Sequence, residues 1–335
     1  MSDTLTREVR LVSRPIGWPT SENFDIADAS APAISDGEVR VRNTFLSVDP
    51  YMRGRMNDAR SYADPYKLGE VMHGGAVGVV EESAADSHAV GDTVAHQFGW
   101  REVAVGPARS FAKIDTGLAP ASAYLGALGM PGLTAYAGLL DVAAMVPGDT
   151  VFVSGAAGAV GSMVGQIAQL RAARRVIGSA GSADKVKWLT DELGFDVAFN
   201  YKDGPVAEQL AQAAPDGIDV FFDNVGGDHL EAAIGAMRLN GRIALCGAIS
   251  VYNATEPAPG PRNLMLLVGN RINMRGFIVT DHAARQPSFI AEVSKAMREG
   301  RLRYRETFVD GIDNMPDAFI GMLRGENTGK MVVRL

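Results

Sequence analysis

Thr150-Val-Phe-Val-Ser-Gly-Ala-Ala-Gly-Ala-Val-Gly161 is the stretch whose reading decides the fold. Thr150 to Ser154 read as a short apolar strand. Gly155, Gly158 and Gly161 follow at G-x-x-G-x-x-G spacing, and an apolar-periodic helix begins with Val160, Val164, Ile167, Ala168 and Leu170. Strand, glycine turn and helix in this order set a helix N-terminus where it can face a phosphate. A side chain at those glycines would hold the backbone away from a pyrophosphate. The pattern also fits a plain strand-to-helix turn, so its context must decide.

Downstream the chain alternates strand and helix. A helix over 159–172 leads to strand 175–179, helix 183–193 and strand 196–200. Helix 205–214, strand 217–223, helix 228–237, strand 241–247 and strand 273–280 complete the set. Six strands with short crossover helices predict an α/β fold with a doubly wound parallel sheet, whose first strand carries the glycines. That context turns the glycine stretch into a dinucleotide turn. Upstream, Thr134 to Met145 read as a helix with Leu133, Tyr136, Ala137 and Leu140 on one face, closed by Pro147-Gly148-Asp149.

Residues 1–125 read differently. Glu8 to Val12 and Glu38 to Phe45 alternate as strands with one wet face do, and Gly74 to Val80 and Gly91 to Val94 add short pieces around Gly/Asp turns. This density of short strands suggests a partly open barrel or rolled sheet. Residues 285–299 read as a further helix. The tail beyond holds strand-like pieces at 305–310 and 330–334, too few for a core of its own, so it is expected to return to the N-terminal domain. The predicted division is 1–125, completed by 295–335, and 126–294.

With 335 residues the chain is too long for one ordinary core, which agrees with two domains. A net charge of -7 argues against a nucleic-acid partner. The longest apolar runs, such as Leu264 to Val268, fall far short of the roughly 20 residues that span a bilayer, so no membrane partner is expected. Met1 to Pro15 carry charges and no apolar signal core, and the expectation is a soluble cytoplasmic protein.

The second strand says which dinucleotide to expect. A site for NAD usually ends that strand with Asp or Glu, about 20 residues past the glycines, to hold the ribose hydroxyls. Here Gly178-Ser179-Ala180-Gly181-Ser182 has no acid, leaving room for a 2′-phosphate. Lys185 and Tyr201-Lys202 supply cations and a phenol nearby; the plain alternative is that both lysines are ordinary solvated ones. The reading favours NADP(H). Metal is not expected: a catalytic zinc needs thiolate, imidazole or carboxylate ligands, whereas Cys246 is the single cysteine and His73 and His96 stand alone. With no such Lewis acid, hydride addition to an activated double bond fits better than alcohol chemistry.

Six motifs occur in order. They are Ser47-Val-Asp-Pro-Tyr-Met-Arg-Gly-Arg-Met56, Gly129-Met-Pro-Gly-Leu-Thr-Ala-Tyr136, Ser154-Gly-Ala-Ala-Gly-Ala-Val-Gly-Ser162, Asp223-Asn-Val-Gly-Gly227, Cys246-Gly-Ala-Ile-Ser250 with Tyr252-Asn253, and Arg324-Gly-Glu-Asn-Thr-Gly-Lys330. Together they resemble the zinc-independent medium-chain dehydrogenase/reductase family, in its branch of prostaglandin reductases, plant double-bond reductases and bacterial NADPH-dependent curcumin reductases. The resemblance covers nearly the whole chain. It implies a GroES-like catalytic domain completed by the tail, a Rossmann domain, homodimers, and NADPH-dependent reduction of the double bond of α,β-unsaturated ketones or aldehydes. By position it implies that Thr134 and the turn Gly155, Ala156, Ala157, Gly158, Ala159, Val160 and Gly161 line the pyrophosphate. Lys185 and Tyr201, with Ser179 and Gly181, would hold the adenosine end. Asn224, Cys246, Ser250 and Tyr252 would run along the cofactor. Phe277, Ile278 and Val279 would flank the nicotinamide, and Asn327 would reach it from the tail.

Hydride addition to the β-carbon leaves an enolate oxygen, which a hydrogen-bond donor stabilises. Tyr252, after the fifth strand, is the first catalytic candidate, and the resemblance assigns a tyrosine of this motif to the substrate carbonyl. Tyr51 is the second. The alternative for each is a wall residue, with water or a ribose hydroxyl giving the proton. Arg53 and Arg55 are candidates to hold an acidic substrate tail or to form interdomain ion pairs. Two other functions compete: a zinc-free NADPH quinone reductase, and a non-catalytic NADPH-binding sensor.

Overall fold

The computed structural model describes residues 4–335. The first three residues, part of the stretch read for a leader, lie outside the described residues. The chain divides into two compact units, one formed up to Leu125 and from Glu306 to Leu335, the other Gly126–Arg305.

The first unit opens with β1 (Thr4–Leu11) and β2 (Phe24–Ala31), paired antiparallel along their length. Then follow β3 (Glu38–Ser47), the short helix α1 (Tyr51–Arg55), β4 (Ala76–Ser83), β5 (Thr93–His96), β6 (Val103–Pro107) and β7 (Ala112–Lys113). Val39, Val41, Val80, Val94, Ala104 and Phe111 bury the inward side of these alternating strands in one cluster. Gly78 is required where β3 and β4 press together, since a Cβ there would lie 2.4 Å from the Arg42 carbonyl oxygen.

The second unit begins with α2 (Met130–Ala137), which runs on into a wider π-helical turn over Gly138–Val142. The expected helix from Thr134 to Met145 therefore starts earlier and stops sooner. Pro131 sits in the first turn, where its missing N–H costs nothing. Ala144 takes a left-handed φ of 46°, which ends the run. Then come β8 (Thr150–Val153), α3 (Gly161–Leu170), β9 (Arg175–Ala180), α4 (Ala183–Asp191), β10 (Val197–Asn200) and α5 (Val206–Ala213). The unit continues with β11 (Ile218–Asp223), α6 (Gly227–Ala236), β12 (Met237–Leu245), α7 (Met265–Gly269), β13 (Asn273–Gly276) and α8 (Gln286–Arg298). The strands pair in parallel, in the order β10-β9-β8-β11-β12-β13, the doubly wound Rossmann arrangement in which the sheet reverses beside β8. Strand residues such as Phe152, Ile177 and Phe221 are 0% exposed because helices cover both faces. Strand β13 is shorter than the expected 273–280, and β12 starts before the expected 241.

The tail supplies β14 (Glu306–Asp310), α9 (Met315–Leu323) and β15 (Lys330–Arg334). They complete a sheet of order β14-β15-β3-β4-β5-β7, with β6 paired to β3. The second unit runs past the expected boundary at 294. Helix α8 continues to Arg298, Leu302 is buried, and the Gln166 side chain both donates to the Arg303 carbonyl (2.8 Å) and accepts from its N–H (2.7 Å).

Candidate active site

Every parallel strand of the second unit ends on the same sheet edge, where ligands of open α/β sheets bind. After β8, Gly155 takes φ 58°, a conformation that favours glycine. A Cβ on Gly161 would lie 2.5 Å from the Gly155 carbonyl oxygen and 2.7 Å from Ala156 Cα, so the turn folds only with glycine there. Gly158 differs: its added Cβ would meet only the Gly155 oxygen at 3.4 Å. This leaves the middle of the turn open to a close approach, and no side chain caps the α3 N-terminus.

Hydrogen bonds tie the ends of β8, β11 and β12 together. Buried Ser154 donates to Asp223 Oδ1 (2.8 Å) and accepts from the Asn224 N–H (2.9 Å), while the Asn224 amide donates to the Ser154 carbonyl (2.8 Å). Asp223 Oδ1 also accepts the N–H groups of Val225 and Gly226, both at 2.9 Å. The Asp223 carbonyl accepts from Cys246 (2.9 Å) and Gly247 (3.0 Å). Burial raises the Asp223 carboxyl above the usual carboxylate range.

The end of β9 is the corner where the adenosine-end candidates gather. A Cβ on Gly181 would lie 3.0 Å from the Tyr201 phenol oxygen, which therefore rests against this glycine. Ser179 is fully buried, and its Oγ has no hydrogen-bond partner among the described residues. Ser182 caps α4, accepting from the Lys185 N–H at 3.4 Å. The Lys185 ammonium is lowered by burial and then by the positive charge of Lys202. Two cations that disfavour each other, one of them with its Nζ 5.9 Å from the Tyr201 ring centroid, suit a bound anion.

The end of β12 carries the other candidates. Cys246 is half-buried, and burial pushes its thiol up to about 12, so it stays a thiol. Exposed Ser250 donates to the Val225 carbonyl. The Tyr252 phenol accepts from the Ala248 N–H at 3.3 Å and lies against Gly247, where a Cβ would stand 3.0 Å from it. Burial raises that phenol, which keeps it protonated. The accepted N–H occupies the oxygen and leaves the O–H free to donate elsewhere. After β13, the Phe277 ring sits edge-on to Phe222, with centroids 6.2 Å apart, and Ile278 and Val279 are half-buried beside it. Thr134 is on α2, its hydroxyl donating back to the Met130 carbonyl at 2.8 Å.

Tyr51 and Asn327 belong to the first unit. Burial, then the nearby Asp49 charge, pushes the Tyr51 phenol well above its usual range. The Asn327 amide donates to the Gly329 carbonyl at 2.7 Å. Arg53 is 2% exposed and donates to Asn57 and to the Gly17 carbonyl, both at 2.7 Å. Arg55 donates to the Asp64 carbonyl and stacks 4.2 Å over the Tyr66 ring.

One residue of the corner escapes sequence reasoning. His229, on the first turn of α6, packs edge-on to Tyr201 with ring centroids 5.3 Å apart. A lone histidine after a Gly-Gly pair carries no pattern that would single it out.

Comparison with known proteins settles the family. Residues 7–114 match the model described as the N-terminal domain of oxidoreductase, and residues 159–296 that of zinc-binding dehydrogenase. The NADPH-dependent curcumin reductase of Escherichia coli (strain K12) is 42% identical, over 97% of this chain and 95% of its own. Prostaglandin reductase 1 of Bos taurus is 43% identical, over 95% of this chain and 96% of its own. The chain belongs to the zinc-independent medium-chain dehydrogenase/reductase family. The structure of CurA from Vibrio vulnificus in complex with NADPH superposes with a TM-score of 0.93 at 45% identity, covering 98% of both chains. The metal in the second model's description does not fit this family member's donors. Among the described residues no three His, Cys, Asp or Glu side chains gather as a ligand set, and its one cysteine is a desolvated thiol. Among them too, no helix is long and apolar enough to cross a membrane.

Proposed function

We propose that this protein is an NADPH-dependent reductase of the carbon–carbon double bond of α,β-unsaturated ketones and aldehydes. The observation that carries the reading is the Tyr252 phenol, protonated and held by the Ala248 N–H at the carboxyl edge of the Rossmann sheet. Relatives named for curcumin and prostaglandin reduction support the substrate class. Bound NADPH would supply a hydride for the β-carbon.

The chain's own residues do the rest. Gly155 to Gly161 accept the pyrophosphate on an open backbone and a helix N-terminus. Lys185, Tyr201 and Ser179 receive the 2′-phosphate beside Gly181. Asn224, Cys246, Ser250 and Phe277 to Val279 line the path towards the nicotinamide with Thr134, and Asn327 is the candidate that the family resemblance adds. Tyr252 donates a hydrogen bond to the substrate oxygen as enolate charge grows there, and stands ready to return a proton to the α-carbon. Tyr51 is the second phenol for that role.

The protein is read as a homodimer. Strand β13 is paired on one side only, and α7 nearby in sequence exposes Met265 (77%) and Val268 (72%).

The test is NADPH oxidation with a medium-chain 2-alkenal, an aromatic enone and 1,4-benzoquinone. The enones are turned over by the wild type, and Tyr252→Phe lowers that turnover about tenfold or more with NADPH affinity intact. Reduction of benzoquinone alone would make the protein a quinone reductase. NADPH binding without any turnover would make it a sensor. Unchanged turnover in Tyr252→Phe removes Tyr252 from the chemistry.

A further inference from the structure

Tyr201 is 38% exposed, and its phenol needs a fixed direction to serve one ligand oxygen. The ring rests against Gly181, carries the Lys202 ammonium 5.9 Å from its centroid, and meets one aromatic neighbour edge-on, His229, 5.3 Å between centroids at an interplanar angle of 76°. That contact is built by the backbone. Gly226 and Gly227 turn the chain after β11 with φ 73° and 54°, and α6 starts so that its third residue is His229.

His229 is 4% exposed, and among the described residues its Nε2 finds no hydrogen-bond partner. What the residue offers here is a flat ring. Burial also pulls it down to about 4, so at neutral pH it adds no charge beside Lys185 and Lys202.

We propose that His229 is a positioning residue for the 2′-phosphate of the dinucleotide: its ring holds the Tyr201 ring edge-on so that the phenol stays over Gly181. This rests on the NADPH reading above. Without that ring the phenol swings, and the loss falls on the cofactor that carries a 2′-phosphate. NADH, which lacks the phosphate, makes no use of the alignment.

The experiment measures Kd for NADPH and for NADH on the full-length protein by fluorescence titration, in wild type, His229→Ala and His229→Phe, with Tm recorded for each. An aromatic edge contact of this kind predicts that His229→Ala cuts the preference for NADPH over NADH by about threefold or more, the NADH Kd staying put. His229→Phe, which keeps a ring without the unmet nitrogen, restores the preference. Equal weakening of both cofactors, an unchanged ratio, or failure of His229→Phe to restore it overturns the inference while leaving the NADPH reading in place. A wild type that binds both cofactors alike overturns the NADPH reading and this inference with it.

Discussion

Lys330 and Asp49 form a buried ion pair, Nζ to Oδ1 2.9 Å, with side chains only 4% and 6% exposed. The same ammonium donates to the Val48 carbonyl at 2.6 Å, and Ser47 donates to the other Asp49 oxygen. The tail strand β15 is thereby locked to the segment that delivers Tyr51. Removing one partner of a buried pair leaves a desolvated charge, at a cost of about 3–5 kcal/mol. Lys330→Met is therefore expected to lose stability on that scale in urea unfolding at pH 7, and Lys330→Met with Asp49→Asn to regain part of it. A single variant within about 1 kcal/mol of wild type would show the pair to be no stronger than a surface one.

The glycine turn separates folding from binding. Gly161→Ala drives a Cβ into the Gly155 and Ala156 backbone, which cannot retreat, so it is expected to unfold the turn and lower Tm. Gly158→Ala meets only an ordinary contact at 3.4 Å. It is expected to keep Tm within a few degrees while NADPH binding falls about tenfold or more, because the methyl stands where the pyrophosphate must approach. If Gly158→Ala binds NADPH normally, the phosphate does not sit on this turn.

At the end of β9, Lys185→Ala is expected to weaken NADPH about tenfold or more, the usual scale for losing a charge-assisted hydrogen bond, and to leave NADH nearly untouched. Titration of both cofactors checks it. Equal effects on the two would remove Lys185 from phosphate recognition.

How much of this was legible follows from which signals are local. Parallel strands buried on both faces are apolar runs, and Phe152 and Phe221 mark theirs in the bare sequence. The crossover lengths are short and regular, so a doubly wound parallel sheet could be anticipated. Because parallel strands present their ends on one edge, naming the strands pointed to the glycine turn and to Tyr252 after the fifth strand, whereas Asn224, Cys246 and Ser250 came as candidates only from the family resemblance. Non-local contacts were not readable. His229 and Tyr201 meet only because Gly226 and Gly227 set the start of α6. The second unit reaches Arg305 because the Gln166 amide holds Arg303, a polar tie with no periodicity. Arg53, polar in the sequence, is buried because the Gly17 carbonyl and Asn57 satisfy its guanidinium.

Acid should loosen the fold through two histidines. Burial lowers His96 to about 3 and His229 to about 4, both below the ordinary value of 6.5. The His96 ring is committed as a neutral one: Nε2 bonds Asn43 Oδ1 at 2.7 Å and Nδ1 accepts the Phe98 N–H at 3.1 Å. Because the unfolded chain protonates first, the stabilisation is complete above about 6.5 and is lost as pH falls towards these values, by up to about 1.4 kcal/mol per pH unit for each group. Urea midpoints between pH 7 and 4.5 should fall, and His229→Phe should flatten the slope by one proton. A slope left unchanged by His229→Phe would mean that the His229 ring is not held neutral.

The exposed surface of α7 gives the last expectation. Met265 and Val268 stand 77% and 72% exposed, while Leu267 of the same helix packs into the core. Strand β13 leaves one row of backbone groups unpaired at the sheet edge, and such an edge is normally covered or blunted. In the proposed homodimer a second copy would cover both features in one symmetric contact, since an isologous interface brings the same patch from each partner. Light scattering on the wild type is then expected to give twice 35.5 kDa, and Met265→Asp with Val268→Asp to give 35.5 kDa with the fold intact by circular dichroism. Charges placed on an apolar interface core cost far more in the dimer than in a monomer that exposes them to water. A wild type that runs as a monomer, or a double variant that remains a dimer, would move the contact away from α7.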